Sequence, residues 1–211
     1  TESGMIEDSP SARQWNARYA SSEYVFGREP SAFLVREANR LPRAGRILCV
    51  ADGEGRNSVW LAKQGFDVHA VDISEVGLAK AQLLAADANV HVKFELADVV
   101  NWSWPVAAYD AVVAIFIQFA GPTDRTNLFS SMKLALRPGG LLLLHGYRPE
   151  QVALGTGGPP QVENMYDELL VRAAFCAMEI EYLHTYDADL QEGLGHRGPS
   201  ALIDLIARKR P

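Results

Sequence analysis

The segment 48-LCVADGEGRNSVW-60 combines an apolar run, two closely spaced glycines and the start of a helical pattern. This order is typical of a buried strand that turns sharply into a helix. Gly53 and Gly55 permit positive φ angles and carry no side chain that would keep a ligand away from the backbone. Turns of this kind hold several nucleotide-like cofactors, although the acids Asp52 and Glu54 would repel a pyrophosphate. The segment therefore predicts an α/β fold with a ligand site at its first strand-to-helix turn.

Strand-like and helix-like segments alternate on both sides of this turn. Runs such as 111-AVVAIF-116 and 141-LLLL-144 lack the polar alternation of half-exposed strands, which indicates strands buried on both faces. The alternation predicts a single doubly wound Rossmann-like domain, with a seven-stranded, mostly parallel sheet, a C-terminal antiparallel hairpin and helices on both faces. The domain is expected to span residues 1–211, with an N-terminal lid segment at 1–30 and the Rossmann-like core at 46–208.

The individual elements follow from periodicity and from glycine and proline breaks. Helices are predicted from Ser31 to Leu41 and over 57–64, 74–86, 124–136 and 162–175, with Ser31 and Ser74 as caps. Strands are predicted over 46–50, 66–71, 90–95, 109–116, 141–146, 179–186 and 200–208, with a loop at 193–199 between the last two.

Composition narrows the function. The chain has 211 residues, 48% of them apolar, and a formal net charge of −6, which disfavours nucleic acid and anionic membranes as partners. There is no apolar run long enough for a membrane span and no signal-peptide pattern, so a cytoplasmic location is expected. Cys49 and Cys176 fall in apolar segments and are expected to be buried free thiols. No metal-binding spacing is present.

Acidic residues follow the next two strands. In open parallel sheets, ligands bind outside the carboxyl ends of the strands. Asp72 lies 19 positions after Gly53 and could accept hydrogen bonds from both ribose hydroxyls. Asp98, after the third strand, could accept one from an adenine amine. The alternatives are that Asp72 only solvates the end of its strand and that Asp98 is a loop acid or a cap. Together these residues predict a slot for an adenosine without a phosphate-binding lysine.

The order of these motifs resembles that of class I S-adenosylmethionine-dependent methyltransferases. The resemblance is carried by 48-LCVADGEGRN-57, 71-VD-72, 97-AD-98, 109-YDAVVA-114 and 137-RPGG-140. Through the G-E-G-R-N turn, 15-WNARY-19 and 29-EP-30 before a helix, the chain also resembles the narrower group of tellurite-resistance and thiopurine S-methyltransferase-like proteins. The segments 24-YVFGREPSAFL-34 and 156-TGGP-159 resemble a small bacterial branch of these proteins. The resemblance implies S-adenosyl-L-methionine as cofactor, S-adenosyl-L-homocysteine as product and a small-molecule acceptor. A soft sulfur, selenium or tellurium nucleophile is the first expectation.

The sequence departs from the family pattern D-x-G-x-G-x-G at two positions. Cys49 stands where the acid is expected, and Ala51 stands for the first glycine. Asp52 or Glu54 could replace the lost acid at the methionine end of the cofactor. Ala51 fits if its φ angle is negative.

The expected site residues come from the strand ends and from the resemblance. His145 or His196 could act as a base, and Arg197 could bind an anionic acceptor or lower the pKa of a nucleophile. His145 could equally be a buried structural residue, and the pair His196-Arg197 a solvated hairpin tip. The cofactor is expected to contact Arg18, Ala51, Asp52, Gly53, Gly55, Asn57, Asp72, Ile73, Asp98, Val99 and Ile115. The acceptor is expected to contact Tyr24, Phe26, Gln118, Phe119 and Tyr147.

Three other functions remain open at this stage. An O- or N-methyltransferase of a small metabolite would need one of the histidines as a base. A non-catalytic S-adenosylmethionine-binding protein would explain the loss of the acid at position 49. A dinucleotide oxidoreductase is disfavoured by Asp52 and Glu54. The chain is expected to be a monomer or a homodimer.

Overall fold

The computed structural model describes Ile6 and residues 9–211. The first part of the expected lid segment, residues 1–5, 7 and 8, lies outside the described residues. Seven strands form one sheet in the order β3-β2-β1-β4-β5-β7-β6. They are Arg46–Val50 (β1), Asp67–Asp72 (β2), Lys93–Leu96 (β3), Tyr109–Ile115 (β4), Leu136–Tyr147 (β5), Glu179–Glu192 (β6) and His196–Arg208 (β7).

The strand directions confirm the predicted fold class. The pairs β1–β2, β1–β4, β2–β3 and β4–β5 are parallel, whereas β7 is antiparallel to both β5 and β6. The chain order reverses direction across the sheet between β1 and β4, so the carboxyl ends of these strands open a crevice there.

Seven α-helices connect or flank the strands in the described part of the chain. Ser74 caps α4 as predicted, because its Oγ accepts a hydrogen bond from the Gly77 N–H at 3.0 Å. Ser31 precedes α2 but its side chain makes no capping bond. The helices are Pro10–Tyr19 (α1), Ala32–Glu37 (α2), Arg56–Lys63 (α3), Glu75–Asp87 (α4), Pro122–Ala135 (α5), Gln151–Leu154 (α6) and Glu168–Ala174 (α7), with 3₁₀ turns at Ala38–Arg40 and Val162–Asn164.

The core lies on both faces of the sheet. Val112 packs into one buried cluster with Phe129 of α5, and the next residue, Val113, packs into the other with Leu61 of α3. Successive side chains of a strand point to opposite faces, so a strand buried on both sides must be apolar throughout. Complete burial of each such aliphatic side chain stabilises the fold by about 1.5–3 kcal/mol.

The helix predicted over 162–175 is interrupted. A 3₁₀ turn ends at Asn164, and α7 begins only at Glu168. Between them, the Tyr166 N–H donates to the Tyr147 carbonyl at 3.0 Å, and the Tyr166 ring is buried 5.5 Å from that of Phe129. This backbone hydrogen bond and the burial of the ring therefore outweigh helical continuity at this point.

The loop predicted at 193–199 is also shorter than expected. Glu192 of β6 pairs directly with His196 of β7, so only three residues form the turn. Gly193 has a φ of 68°, which a tight turn requires and most residues avoid. The two strands consequently extend to the carboxyl-end side of the sheet and carry His196 with them.

The cysteines differ in environment. Cys49 on β1 is buried, as expected, but Cys176 is exposed because it follows the end of α7. Both are free thiols. Over the described residues, every helix is too short or too polar to cross a membrane.

Candidate active site

A cavity of about 740 Å³ opens at the carboxyl ends of β1 to β4. This volume lies within the range of small-molecule sites. The turns after these strands form its floor, and α1, Phe26 and residues 158–161 form its sides. His196, from the start of β7, completes the wall. One cavity thus joins the predicted adenosine slot to four of the five residues expected to contact the acceptor, namely Phe26, Gln118, Phe119 and Tyr147.

The glycine turn lies against the wall of this cavity. Ala51 has a φ of 50°, so the condition under which alanine fits this position without strain is not met. The Asp52 N–H donates to the Val71 carbonyl at 3.1 Å and holds the turn at the end of β2. A side chain at Gly53 would begin 2.6 Å from the Tyr19 hydroxyl oxygen, which explains the glycine there. Gly55 does not line the cavity, since it packs against Ala81 of α4.

Two carboxylates face the cavity beside this turn. Asp72 accepts the Gly53 N–H at 2.7 Å on Oδ2 and the Ser74 N–H at 2.9 Å on Oδ1. Burial raises its pKa to about 6. Asp52 accepts a hydrogen bond from Ser58 Oγ, and burial raises its pKa to about 7, with the charge of Asp72 adding to the effect. Each carboxylate oxygen has a second lone pair that a ligand hydroxyl or ammonium group can use.

Asp98 serves its own loop and also lies on the cavity wall. Its Oδ1 accepts the Val100 N–H at 3.1 Å, and its Oδ2 accepts the Asn101 side-chain amide at 2.7 Å. The capping role therefore exists, and it leaves the half-buried carboxylate beside the slot. Ile73, Val99 and Ile115 supply apolar surface to the same wall.

Other polar side chains of the glycine turn hold the segment between α1 and α2. Glu54 accepts the Val25 N–H at 2.8 Å and forms an ion pair with Lys80 of α4. Asn57 accepts the Ser31 N–H at 2.9 Å. Glu54 therefore has a structural partner on each oxygen, whereas Asp52 accepts its side-chain hydrogen bond from Ser58 and has no ion-pair partner among the described residues.

A buried ion pair links the turn to the tip of the β6–β7 hairpin. Arg56 Nη2 lies 2.8 Å from Glu192 Oε2, and the two side chains are 7% and 9% exposed. Glu192 also accepts the Ala32 N–H at 3.0 Å, at the start of α2. Arg56 lines the cavity but was not among the predicted site residues. Its partner lies 136 positions away, and no local pattern could reveal the pair.

His196 and Tyr147 form a buried pair on the acceptor side of the cavity. The Tyr147 hydroxyl oxygen lies 2.6 Å from His196 Nδ1. The imidazole stacks between Phe26 and Phe116, with ring centroids 4.5 and 4.0 Å away. Burial, followed by the charge of Arg56, lowers the pKa of His196 well below its usual range, so the ring is neutral at pH 7.

Two further residues fix the geometry of this pair. Gln118 forms two hydrogen bonds with the Tyr147 backbone. Its Oε1 accepts the Tyr147 N–H at 2.6 Å, and its Nε2 donates to the Tyr147 carbonyl at 2.8 Å. Phe116 has a φ of 55°, a strained angle for a bulky residue at the end of β4. Phe119, 37% exposed, lies on the wall near them.

His145 lies behind this wall rather than on it. It is 1% exposed, and its Nδ1 is 2.6 Å from Asp204 Oδ1. Its ring stacks on Phe33 and meets Phe116, which separates it from His196. The position expected for His145, in the roof of the site, therefore differs from the observed one, because the strand directs its side chain into the interior.

Arg197 and Tyr24 also lie outside the cavity. Neighbouring residues of a strand point to opposite sides, so the inward His196 leaves Arg197 facing outward. Arg197 and Tyr24 line a separate shallow depression near the hairpin tip. The Tyr24 hydroxyl donates to the Lys80 carbonyl at 3.0 Å. Neither residue is positioned to touch a ligand in the main cavity.

Arg18 is the free cation of the wall. Its guanidinium lies 5.3 Å from the Trp15 ring centroid and 5.1 Å from that of Phe26. It forms no ion pair with any residue that the structure describes. A ligand carboxylate would find a charge partner here. Within the same described residues, no group of three acidic, histidine or cysteine side chains is placed to hold a metal ion.

A Rossmann-like sheet with carboxylates after β2 and β3 and a glycine turn after β1 offers the kind of crevice in which open α/β sheets bind nucleotide-like ligands, and S-adenosylmethionine, the cofactor that the sequence resemblance implies, is such a ligand. Residues 47–140 match the family described as a methyltransferase domain. The residues present fit this cofactor, because hydroxyl and ammonium groups can bind Asp72 and Asp52 and a carboxylate can bind Arg18. No lysine of the described chain lies on the wall to hold a pyrophosphate.

Curated relatives match somewhat more than half of the chain. Glycine N-methyltransferase of Rattus norvegicus is 32% identical over 136 residues, which are 57% of this chain and 46% of the relative. The putative methyltransferase YqeM of Bacillus subtilis is 29% identical over 118 residues, or 54% and 47% of the two chains. The chain thus spans about half the length of the curated relatives it matches.

Solved structures extend the likeness of the fold to nearly the whole chain. NodS, an N-methyltransferase from Bradyrhizobium japonicum in complex with S-adenosyl-L-homocysteine, has a TM-score of 0.71 at 13% identity and covers 96% of this chain and all (100%) of its own. TehB from Haemophilus influenzae has a TM-score of 0.69 at 18% identity, covering 94% and 67%. A structure concerned with the conversion of a disulfide into a thioacetal in echinomycin biosynthesis has a TM-score of 0.77 at 16% identity, covering 94% and 91%.

Proposed function

We propose that this chain is an enzyme that transfers the methyl group of S-adenosylmethionine to a small-molecule acceptor, first of all to a soft sulfur, selenium or tellurium nucleophile. The observation that carries the proposal is the single cavity. Its wall carries the carboxylates Asp52 and Asp72, and it also carries Phe26, Phe116 and His196, which line the compartment that we assign to the acceptor. A cofactor and an acceptor can thus meet inside one cavity.

The cofactor end has a donor or acceptor for each polar part of the ligand. Asp72 suits the ribose hydroxyls, Asp98 the adenine amine, Asp52 the amino group and Arg18 the carboxylate. When bound, S-adenosylmethionine supplies an activated methyl group on a sulfonium, so the chain has to align the acceptor and exclude water. Tyr19, buried over the glycine turn, closes this end from solvent.

The acceptor end suits a nucleophile that needs little activation. Phe26 and Phe116 provide apolar walls, and the imidazole of His196 is neutral. A thiolate or chalcogen oxyanion reacts without a strong base. An apolar site also removes part of the hydration shell of such an anion. The narrower likeness to tellurite-resistance and thiopurine S-methyltransferase-like proteins belongs to this proposal. So do the single domain, the cytoplasmic location and the monomeric or homodimeric state.

Methyl transfer to nitrogen is the second candidate. Glycine N-methyltransferase and NodS are named for that reaction. In this chain, the carboxylate of Asp124 is exposed on the cavity wall and has no hydrogen-bond partner among the described residues. It could attract an ammonium group to the compartment. This route requires a base, and His196 is the candidate.

Calorimetric titration with S-adenosylmethionine and S-adenosylhomocysteine, with NAD(H) as control, tests the cofactor end. We expect both sulfur ligands to bind and NAD(H) not to bind. Asp72→Asn should weaken binding at least tenfold, about 1.4 kcal/mol. Asp87→Asn is the matched control, since Asp87 lies exposed on α4 in an ion pair with Arg28. Failure of the unmodified chain to bind either sulfur ligand would refute the proposal.

A panel of acceptors tests the reaction. The chain is incubated with S-adenosylmethionine and, separately, with small thiols, selenide, tellurite, phenols and primary amines. Methylated products are quantified by mass spectrometry. Products from the thiol and chalcogen set would support the first candidate. Products confined to amines or phenols would favour methyl transfer to nitrogen or oxygen. No product from any acceptor would contradict the proposed reaction and would leave cofactor binding as the part of the proposal that can still hold.

A further inference from the structure

The hydroxyl group of Tyr147 forms a hydrogen bond with the ring of His196. Tyr147 is 1% exposed, and the only hydrogen bond of its hydroxyl within the described structure is the 2.6 Å contact with His196 Nδ1. Between these two atoms there is room for one hydrogen. Either the phenol donates to the ring nitrogen, or the ring N–H donates to the phenol oxygen.

The second arrangement leaves a buried donor without a partner. If His196 Nδ1 carried the hydrogen, the hydroxyl hydrogen of Tyr147 would have no acceptor, and an unpaired buried donor is unfavourable. Burial also raises the pKa of Tyr147, so the phenol keeps its hydrogen across the working pH range. The first arrangement satisfies both groups, with the remaining hydrogen of the neutral imidazole on Nε2.

The surroundings hold the ring in this position. The imidazole is stacked between Phe26 and Phe116, with interplanar angles of 22° and 27°. A side chain at Gly157 would begin 2.5 Å from the Tyr147 hydroxyl oxygen, so the glycine leaves the space that the pair occupies. Nε2 of His196 has no partner among the described residues, and the ring lines the cavity.

We propose that Tyr147 is a positioning residue that holds His196 as the Nε2–H tautomer, so that His196 offers a hydrogen-bond donor and not a base to the acceptor. The site would then select acceptors whose facing atom has a lone pair, above all those that enter as anions, such as thiolates and chalcogen oxyanions. This inference rests on the proposed function and names the substrate class of the same site.

Anionic acceptors and ammonium acceptors differ in whether a proton has to leave for methyl transfer to occur. When an anionic acceptor forms its new bond to the methyl carbon, the electron pair of the broken carbon–sulfur bond stays on sulfur, and the negative and positive charges cancel. No proton has to leave. An ammonium acceptor must first lose a proton, and a nitrogen that already carries hydrogen cannot take it. The structure thus argues against His196 as the base expected from its sequence position.

The tautomer can be measured without activity. The protein is labelled with ¹⁵N-histidine, and long-range ¹H–¹⁵N correlations identify which nitrogen of each ring carries hydrogen. His196→Gln assigns the signal. We expect Nε2–H for His196 in the unmodified chain and a shift towards Nδ1–H in Tyr147→Phe. An Nδ1–H signal in the unmodified chain, or no change in Tyr147→Phe, would overturn the inference.

The chain contains a matched control for this substitution. The Tyr109 hydroxyl lies 2.7 Å from His69 Nδ1, and His69 Nε2 lies 2.9 Å from Glu95. This second pair of tyrosine and histidine is buried away from the cavity. Because Glu95 also favours hydrogen on Nε2, Tyr109→Phe should leave the tautomers of both His69 and His196 unchanged.

Acceptor preference provides a second readout. In Tyr147→Phe, kcat/KM for anionic thiols should fall on the order of tenfold while that for amines stays level or rises. S-adenosylhomocysteine affinity should match that of the unmodified chain, which also shows that the variant is folded. Equal losses for thiols and amines would overturn the selection. If the unmodified chain does not bind S-adenosylhomocysteine, the proposed function fails, and the tautomer measurement still decides the role of Tyr147.

Discussion

Replacement of Ala51 by glycine should stabilise this protein. Ala51 opens the glycine turn with a φ of 50°, in the left-handed region where the Cβ atom crowds the following carbonyl. The family pattern has glycine at this position. The alanine is therefore a strained residue at the edge of the candidate site, and its strain can be removed without loss of any hydrogen bond.

The size of the effect follows from two opposing terms. The left-handed conformation costs an L-residue about 1–2 kcal/mol. Glycine itself lowers the free energy of unfolding by about 0.5–1 kcal/mol relative to alanine, because it has more conformational freedom in the unfolded chain. The remainder is a gain of about 0.5–1 kcal/mol in the free energy of unfolding. For a chain of this size, it corresponds to an increase in Tm of about 1–4 °C.

Urea denaturation and calorimetry would measure the change, with two controls. Ala44, exposed before β1, has a φ of 52°, so Ala44→Gly should stabilise equally without touching the cavity. Ala17, exposed within α1, has the ordinary helical conformation, so Ala17→Gly should destabilise by about 0.5–1 kcal/mol. The reasoning is refuted if Ala51→Gly lowers the free energy of unfolding while Ala44→Gly raises it.

Three further predictions concern the site. Replacing Arg56 or Glu192 alone by methionine should lower the free energy of unfolding, measured by urea denaturation, by about 3–5 kcal/mol, because the remaining charge is buried without a partner. The double substitution should recover most of this loss. A double variant as unstable as the single variants would contradict the prediction. Because burial raises the pKa of Asp52 to about 7, from an ordinary 3.8, the folded state binds its proton more tightly than the unfolded chain. The free energy of unfolding should therefore fall as pH rises from about 4 to about 7, and Asp52→Asn should flatten that slope. Gly157→Ala would push on the Tyr147 hydroxyl and should abolish methyl transfer while S-adenosylhomocysteine still binds; normal turnover would refute the steric argument.

The sequence revealed the parts of the fold that are determined locally. Strand β1, at Arg46–Val50, has the predicted bounds, because a buried apolar run lies between Gly45 and the glycine turn. The break at 165–167 could not be foreseen, since it depends on the pairing of Tyr166 with Tyr147 and on a ring buried against Phe129. Helical periodicity contains no information about a partner that distant.

The candidate site divides in the same way. Asp72 and Asp98 were found because parallel strands align their carboxyl ends, so position along the chain predicts position in space. His196 was found through the resemblance, but the direction of its neighbour Arg197 depends on strand register, which shifted when the hairpin loop proved shorter. The link between Arg56 and Glu192 depends on the finished tertiary structure and has no local signal.

The candidate site draws on segments far apart in the order of synthesis. Residues before position 148 form the glycine turn, the carboxylates and the aromatic walls of the cavity. Glu192 and His196, in contrast, belong to the β6–β7 hairpin. A nascent chain that has emerged only as far as β5 holds the cofactor turn without its ion-pair partner or its imidazole. The cavity wall is therefore complete only after the last strand has been synthesised, because His196 and the partner of Arg56 both arrive with the hairpin.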